Sequence, residues 1–337
     1  MTSETCLAWS WHERGDPSGL RLCEPPLPAP GPGEVLLRNL AIGLNPVDWK
    51  MIEWGPAAWG PGRIPGVDGC GVVAAAGEGL RLPVGRRFAY HQSLGRDGSF
   101  ASHTLVPADC LLPVPAEIDD IAAAALPCPG LTAWQALAKL PGDGGRDVLV
   151  SGAGGAVGLI LTQLALRAGW RVWATASPAH HAGLMALGVC GAFDYRAADW
   201  RERLAAALGP RRLHAAFDTV SGAHARSLAP LLGYNGHLVC IQDRQEEAPL
   251  PAFSTAISLH EVALNSAHLH ATAEDWLAWR RAGRTLFELL AGGELRLPEI
   301  RTETFERLPD ALAGLRTSGG PFKRVVTAPG GRARAGS

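Results

Sequence analysis

The stretch LVSGAGGAVGLILTQLALRAGWRVWATAS, Leu149–Ser177, holds glycines at 152, 154, 155 and 158 and then runs into a long apolar segment. It reads as a buried strand (DVLVS), a tight turn, a helix from Gly155 to Ala168 and a second strand (RVWATA). A turn of this kind turns free backbone N–H groups and the positive end of a helix toward an anion, which suits the pyrophosphate of a dinucleotide. Aligned from Ala153 the loop is Ala-x-Gly155-x-x-Gly158. Gly152 takes the sharp turn, Gly155 lets the backbone approach the pyrophosphate, and Gly158 lets the helix pack on the strand. Ala156 and Val157 contribute helix-start amides to the same cradle.

The second strand bears on which dinucleotide. A site for NAD commonly ends this strand with Asp or Glu, which holds the ribose 2′-OH. No acidic residue occurs between Ser151 and Phe193, and the strand ends in ATASPAHH. Ser177 is a donor for a phosphate, with His180, His181 and Arg196 as cationic candidates. A carboxylate would repel a 2′-phosphate and this strand end carries none, so NADPH is the expected cofactor.

Outward from the loop, strand and helix keep alternating. Helices are expected at Pro178–Leu187, Asp199–Leu208 and Ala223–Leu232, with strands GAFDY, LHAAFDTV and GHLVCI between them. The alternation predicts a parallel sheet covered by helices on both faces. The N-terminal third reads differently. It consists of short strand candidates such as Glu34–Leu40, GVDGCGVVAAAG and GRRFAYH, bounded by Gly and Pro, as in a β-barrel-like domain. Past residue 250, SLHEVALNSAHLHA looks strand-like, AEDWLAWRRAGRTLFELLAGG reads as an amphipathic helix and PFKRVVTAP as a terminal strand. The expectation is α/β: a doubly wound domain, 121–259, inserted into a β-rich catalytic domain, 1–120 and 260–330, with a disordered tail at 331–337.

With 337 residues, two domains are the default for the length. Apolar residues make up 47% and charged residues 19%, a globular composition. Net charge is −1 and the 31 basic residues are scattered, so no nucleic-acid patch is read. No apolar run has the length of a membrane span. The start MTSETCLAWSWHERG lacks a basic segment followed by an apolar core, and the cytoplasm is the expected location. The seven cysteines contain no CxxC pair and are expected as thiols.

GLNPVDWK, IPGVDGCGVV, ALPCPGLTAWQAL, SGAGGAVG and FDTVSG, in this order, give the chain a resemblance to the medium-chain dehydrogenase/reductase superfamily. Within it, the chain resembles the zinc-independent quinone oxidoreductases and enoyl reductases. The resemblance implies a GroES-like catalytic domain split around a Rossmann domain, and a homodimer formed near 255–270. It places Asn45, and the residue matching Lys50, in the cleft near nicotinamide or substrate, and Thr132 at the nicotinamide end. It implies that Lys323 contacts the pyrophosphate, that Tyr195 lies beside the adenosine phosphate, and that Val220 and Ile241 follow strands whose carboxyl ends face the cofactor. Trp49, Trp54 and Cys128 are candidate substrate contacts, with Trp59 close to the first two in the chain.

Zinc dehydrogenases of this superfamily take a Cys, a His in Gly-His-Glu and a later Cys. Here those positions read Asn45, Gly66–Asp68 and Cys128, which leaves one ligand where a catalytic zinc needs three. His268 and His270, two apart on an expected strand, lack a third partner. A metal-free enzyme is expected. Hydride added to a quinone or enone makes a delocalised anion that hydrogen-bond donors can hold, whereas a plain ketone profits more from a Lewis acid. The leading reading is therefore NADPH-dependent reduction of a quinone or α,β-unsaturated carbonyl, with Asn45, Lys50 and Thr132 as candidate catalytic residues. A biosynthetic enoyl reductase acting on an acyl thioester, a zinc-free carbonyl or alcohol oxidoreductase and a non-catalytic NADPH-binding sensor stay open beside it.

Overall fold

The computed structural model describes residues 5–142, 144–318 and 322–329. The expected tail at 331–337 lies outside the described residues. The chain forms two compact units. One is built from residues up to Cys128 and from Asn265 onward; the other is Pro129–Leu264. The first boundary falls beyond the expected residue 120 because the helix Asp120–Ala125 packs on the strands Glu34–Leu44 and Asp68–Ala76 and so stays with them.

In the Pro129–Leu264 unit six parallel strands lie in the order Gly191–Phe193, Arg171–Thr175, Asp147–Ser151, Leu213–Asp218, Leu232–Cys240, Ser258–Glu261. The chain thus starts in the middle, winds outward to one edge, returns and winds to the other. That reversal is the dinucleotide-binding topology, with its crevice at the carboxyl ends of the first and fourth strands. Asp147–Ser151 is buried at every residue, as the apolar run DVLVS requires of a central parallel strand. Its one charge is anchored. The Asp147 carboxylate accepts from Arg171 Nη2 at 2.6 Å, Trp173 Nε1 at 2.9 Å and Arg211 Nη1 at 2.9 Å.

Most helices of this unit run close to the expected spans. Gly155 caps the helix Ala156–Arg167, and Trp200–Leu208 follows Asp199. The expected Pro178–Leu187 helix is a 3₁₀ turn, Pro178–His180, followed by His181–Leu187. Trp200, 1% exposed, packs with Leu204, Leu208, Trp173 and Phe193 on one side of the sheet.

The other unit is built on a seven-stranded sheet. Its path runs Glu299–Thr304, Phe322–Thr327, Glu34–Leu44, Asp68–Ala76, Arg87–His91, Leu111–Pro113, and His103–Pro107 also pairs with Glu34–Leu44. Two registers matter for function. Asp68 pairs with His91, and Arg324 pairs with Leu44, which brings Lys323 level with Asn45. The amphipathic stretch forms the helix Ala273–Ala291, started by a reciprocal capping pair of Thr272 and Asp275. Only Ser258–Glu261 of the expected strand SLHEVALNSAHLHA is a strand. Leu264–Ser266 is a 3₁₀ turn and Ala267–His270 a short helix, so His268 and His270 do not share a strand face. His268 is drawn into a cluster with Cys110, His91, Trp276 and Trp279, while His270 is exposed. Among the described residues no helix is long and apolar enough to cross a membrane.

Trp200→Ala would empty the largest fully buried side chain on that side of the parallel sheet. The expected loss is about 3–5 kcal/mol, read as a lowered denaturant midpoint. A loss under about 1 kcal/mol would show that the site collapses around the gap.

Candidate active site

In the Pro129–Leu264 unit each glycine of the loop has its own reason. Gly152 has φ +79, and a Cβ there would overlap Thr219 Oγ1. A Cβ on Gly154 would overlap the His180 ring, and one on Gly158 would overlap Gly152 O, where helix and strand touch. Gly155 differs. Its φ is −80, and a Cβ would meet nothing closer than Gly152 O at 3.5 Å. Nothing within the chain requires glycine there. An incoming group would supply the reason, since Gly155 is exposed and caps the helix whose first residues are Ala156 and Val157. Ala153 is fully buried and supports the turn through its N–H, which donates to Thr175 O at 2.9 Å.

The residues at the end of the second strand, Arg171–Thr175, are neutral or basic. Ser177 and His180 are half-buried, and His180 lies over Gly154. His181 Nε2 lies 3.1 Å from Ala176 O. Tyr195 is exposed with the Arg196 guanidinium 5.1 Å from its ring centre. Val220 is 52% exposed and Ile241 9%, each just beyond a strand's carboxyl end. Thr132 is buried in the helix Pro127–Leu137.

The same unit holds a polar group that the sequence reading missed. Ser151 Oγ lies 2.7 Å from His224 Nε2 and accepts from Thr175 Oγ1 at 3.2 Å. Asp218 receives the N–H groups of Val220 and Ser221, and Ser221 has φ +91. Burial raises the Asp218 carboxyl and lowers the His224 imidazole, favouring the neutral form of both. The motif FDTVSGAH carried only one hint of this, the Asp two residues before Val220.

In the other unit a second polar network is buried. Asn45 ends the strand Glu34–Leu44 and precedes the helix Pro46–Trp54, whose first position is proline. Asn45 N–H donates to Asp48 Oδ2 at 2.7 Å, and Val67 N–H donates to Asp48 Oδ1 at 3.2 Å. Asn45 Nδ2 donates to Asp68 Oδ2 at 2.9 Å and to Gly43 O at 3.3 Å. Asn45 Oδ1 accepts from Lys323 Nζ. Asp68 also accepts from His91 Nδ1 at 3.0 Å, and from Cys128 N–H at 3.1 Å on Oδ1 and 3.0 Å on Oδ2. Asn45, Asp48, Asp68, His91 and Lys323 are all less than 5% exposed.

Two expectations change here. Asn45 is not a free donor for a substrate; both ends of its amide are taken inside the network. Lys323 does not reach for a pyrophosphate. Its ammonium is buried against Asn45 and lies 3.9 Å from Asp68 Oδ2. Of the neighbouring tryptophans, Trp59 is buried edge-on against Trp11, whereas Trp54 is 60% exposed. Trp49 is half-buried, and the Lys50 ammonium lies 5.7 Å from its ring centre.

Two family models match the chain, an alcohol dehydrogenase GroES-like domain at residues 31–116 and a zinc-binding dehydrogenase domain at 156–281. A trans-enoyl reductase of Thermothelomyces thermophilus is 30% identical over 322 residues, covering 84% of this chain and 86% of that one. The chain belongs to the medium-chain dehydrogenase/reductase family. A trans-enoyl reductase of Aspergillus flavipes is 33% identical over 221 residues, 59% of this chain and 63% of its own length. The fold agrees. The crystal structure of a putative NADPH:quinone reductase from Bacillus thuringiensis superposes with a TM-score of 0.86 at 23% identity, covering 96% of this chain and 99% of that one.

Membership raises the question of zinc. Of the positions where the zinc-dependent members carry ligands, Asn45 is tied into the network and Val67 is a buried apolar side chain, 1% exposed. A different trio does approach a ligand set. Asp68, His91 and Cys128 offer one atom each, all within 4.8 Å of one another. Asp68 is already saturated by four hydrogen bonds and faces the Lys323 ammonium. The residues do not fit a zinc ion.

Two tests follow from this geometry. Gly155→Ala is expected to leave the melting temperature within about 2 °C of the parent. It should weaken binding of the reduced nicotinamide dinucleotide about tenfold or more, measured by fluorescence titration. Gly158→Ala should lower stability instead, and equal behaviour of the two variants would contradict the assignment. The second test concerns Asp48, whose pKa is raised to about 7, first by burial and then by the nearby Asp68 charge, against hydrogen bonds from Asn45 and Val67 and the Lys323 charge. A raised carboxyl stabilises the fold while protonated. Its contribution is full below about pH 4 and fades as the pH rises through about 7. The stability of the parent relative to Asp48→Asn should therefore fall between pH 4 and 7 and level off above. A parent that gains on the variant over this range would mean the ionised form is favoured.

Proposed function

We propose that this protein is a metal-free, NADPH-dependent reductase of carbon–carbon double bonds conjugated to a carbonyl, quinones included. The observation that carries the cofactor reading is the pairing of an open Gly155 at a helix N-terminus with a second-strand end that has no carboxylate. NADPH, when bound, supplies the hydride. Gly155, Ala156 and Val157 would bind its pyrophosphate through backbone amides. Ser177, His180 and Tyr195, with Arg196 beside it, would take the 2′-phosphate, a dianion that positive and hydroxyl groups favour. Val220, Ile241 and Thr132 would flank the cofactor along the carboxyl ends of the strands.

The acceptor class follows from charge. The relatives named as trans-enoyl reductases act on a polarised double bond by their names, and this chain's ligand positions are filled by a tied amide and a valine. Hydride addition to a conjugated bond leaves a spread negative charge that a few donors can hold. Lys50 is the candidate donor for that charge, with Cys128, Trp49 and Trp54 as substrate contacts. Asn45 enters only through the network that fixes the start of its helix. A homodimer along the exposed edge strand Ser258–Glu261 belongs to the same reading.

Initial rates with NADPH and NADH on 1,4-quinones, enones, enoyl thioesters and saturated ketones test this directly. The expected result is turnover of conjugated acceptors with kcat/KM at least about tenfold higher for NADPH. Equal use of the two cofactors would remove the 2′-phosphate assignment. Turnover confined to saturated ketones would remove the acceptor class, and tight NADPH binding with no turnover would support a sensor.

A further inference from the structure

Two turns at the carboxyl ends of adjacent strands touch one another. The turn at Gly152 follows Asp147–Ser151, and the turn Thr219–Ser221 follows Leu213–Asp218. Thr219 Oγ1 fills the space that a Cβ on Gly152 would need, and Val220 Cγ2 lies 4.0 Å from the same point. Both turns are tied to the fully buried Ser151. Thr219 Oγ1 donates to Ser151 O at 2.8 Å. Gly152 N–H donates to Thr175 Oγ1 at 3.3 Å, and Thr175 Oγ1 donates to Ser151 Oγ at 3.2 Å. The second turn is strained, because Ser221 has φ +91 and carries a side chain where glycine would be at ease. Asp218 restrains it by accepting from Val220 N–H at 3.2 Å and Ser221 N–H at 2.7 Å. The helix Gly222–Leu228 then brings His224 back to the same hub, its Nε2 2.7 Å from Ser151 Oγ and 3.7 Å from Asp218 Oδ1. Ser227 Oγ anchors this helix by donating to His224 O at 2.7 Å while accepting from Arg201 Nη2 at 2.6 Å.

The count of protons gives the chain a direction. Thr175 spends its hydroxyl proton on Ser151 Oγ, so the Ser151 proton is left for His224 Nε2, and the ring accepts there as a neutral imidazole protonated on Nδ1. Burial, working against the Asp218 charge, lowers the His224 imidazole and favours the same neutral ring. We infer that His224 is a positioning residue for the dinucleotide: by accepting from Ser151 it locks the strained Thr219–Ser221 turn and the Gly152 turn into one surface for the cofactor. The inference rests on the nucleotide reading of the function and deepens it, since His224 sets affinity through Ser151, and its test reads binding rather than turnover.

The experiment measures the Kd for NADPH of the full-length protein by fluorescence titration at neutral pH. His224→Ala should weaken binding about three- to tenfold, the worth of one hydrogen bond. His224→Gln, whose amide oxygen can accept from Ser151 in place of Nε2, should restore Kd to within about twofold of the parent. Ser151→Ala should weaken binding by the same factor as His224→Ala, and the double variant no further, because both changes remove one bond. Parental affinity in a folded His224→Ala protein overturns the inference, even where its melting temperature has fallen. So does a His224→Gln protein as weak as His224→Ala, or a double variant whose losses add. A parent that binds neither NADPH nor NADH overturns the nucleotide reading and the inference with it. If His224→Ala does not fold, the parent decides alone through imidazole nitrogen NMR. A ring protonated on Nδ1 whose Nε2 signal moves when NADPH is added supports the inference, and a ring protonated on Nε2 or a signal that NADPH leaves in place overturns it.

Discussion

A single buried carboxylate organises the catalytic unit. Asp68 accepts from an imidazole, an amide and a backbone N–H, and it faces an ammonium, each brought from a different part of the chain. An unpaired charge in such a place would be strongly destabilising, so its partners must be positioned as firmly as the carboxylate itself. The pairing of Asp68 with His91 places the first across a strand pair, and the antiparallel pairing of the Phe322–Thr327 strand with Glu34–Leu44 places Lys323 beside Asn45. Asp48, which accepts the backbone N–H of Asn45, belongs to the same network and is held closer to its neutral form. Packing, hydrogen bonding and charge are therefore one problem here, solved once.

The nucleotide unit follows a different logic. Its parts are local. The turn at Gly152, the close approach at Gly158 and the helix start at Gly155 lie within one strand–turn–helix segment, and each can be argued from backbone geometry. The anion-binding quality of that segment depends on helix-end amides rather than on any charged side chain. This leaves side-chain identity free to vary at the strand end behind it, where Ser177, His180 and Tyr195 stand.

That contrast explains what the sequence could reveal. The glycine loop, the alternation of strand and helix and the missing carboxylate all repeat within a few residues, so period and punctuation expose them. The partners of Asp68 come from segments separated by up to hundreds of positions, and strand register decides who meets whom. Lys323 was assigned to the pyrophosphate by the family resemblance alone, and a basic residue in the final strand carries no mark in the sequence of the direction it faces. His91 stood in a plain strand candidate, GRRFAYH, with nothing to separate it from a surface histidine. The His-x-His of residues 268–270 suggested a strand because alternation over so short a span fits a turn of helix as well. The boundary near 120 slipped for a related reason, since a helix of alanines shows no preference for one core over another until it packs.

The Lys323–Asn45 bond joins residues 278 positions apart, and it closes around a unit that the Pro129–Leu264 segment interrupts. On a ribosome this sets an order of events. The parallel sheet can assemble as soon as its own segment has emerged, whereas Asp68 must wait for residue 323 before its counter-charge exists. During that interval the half-made β unit carries a carboxylate without its ammonium, and contacts of such high sequence separation form slowly. The embedded unit is thus the natural first folder, and the charge network is the final seal of the catalytic unit.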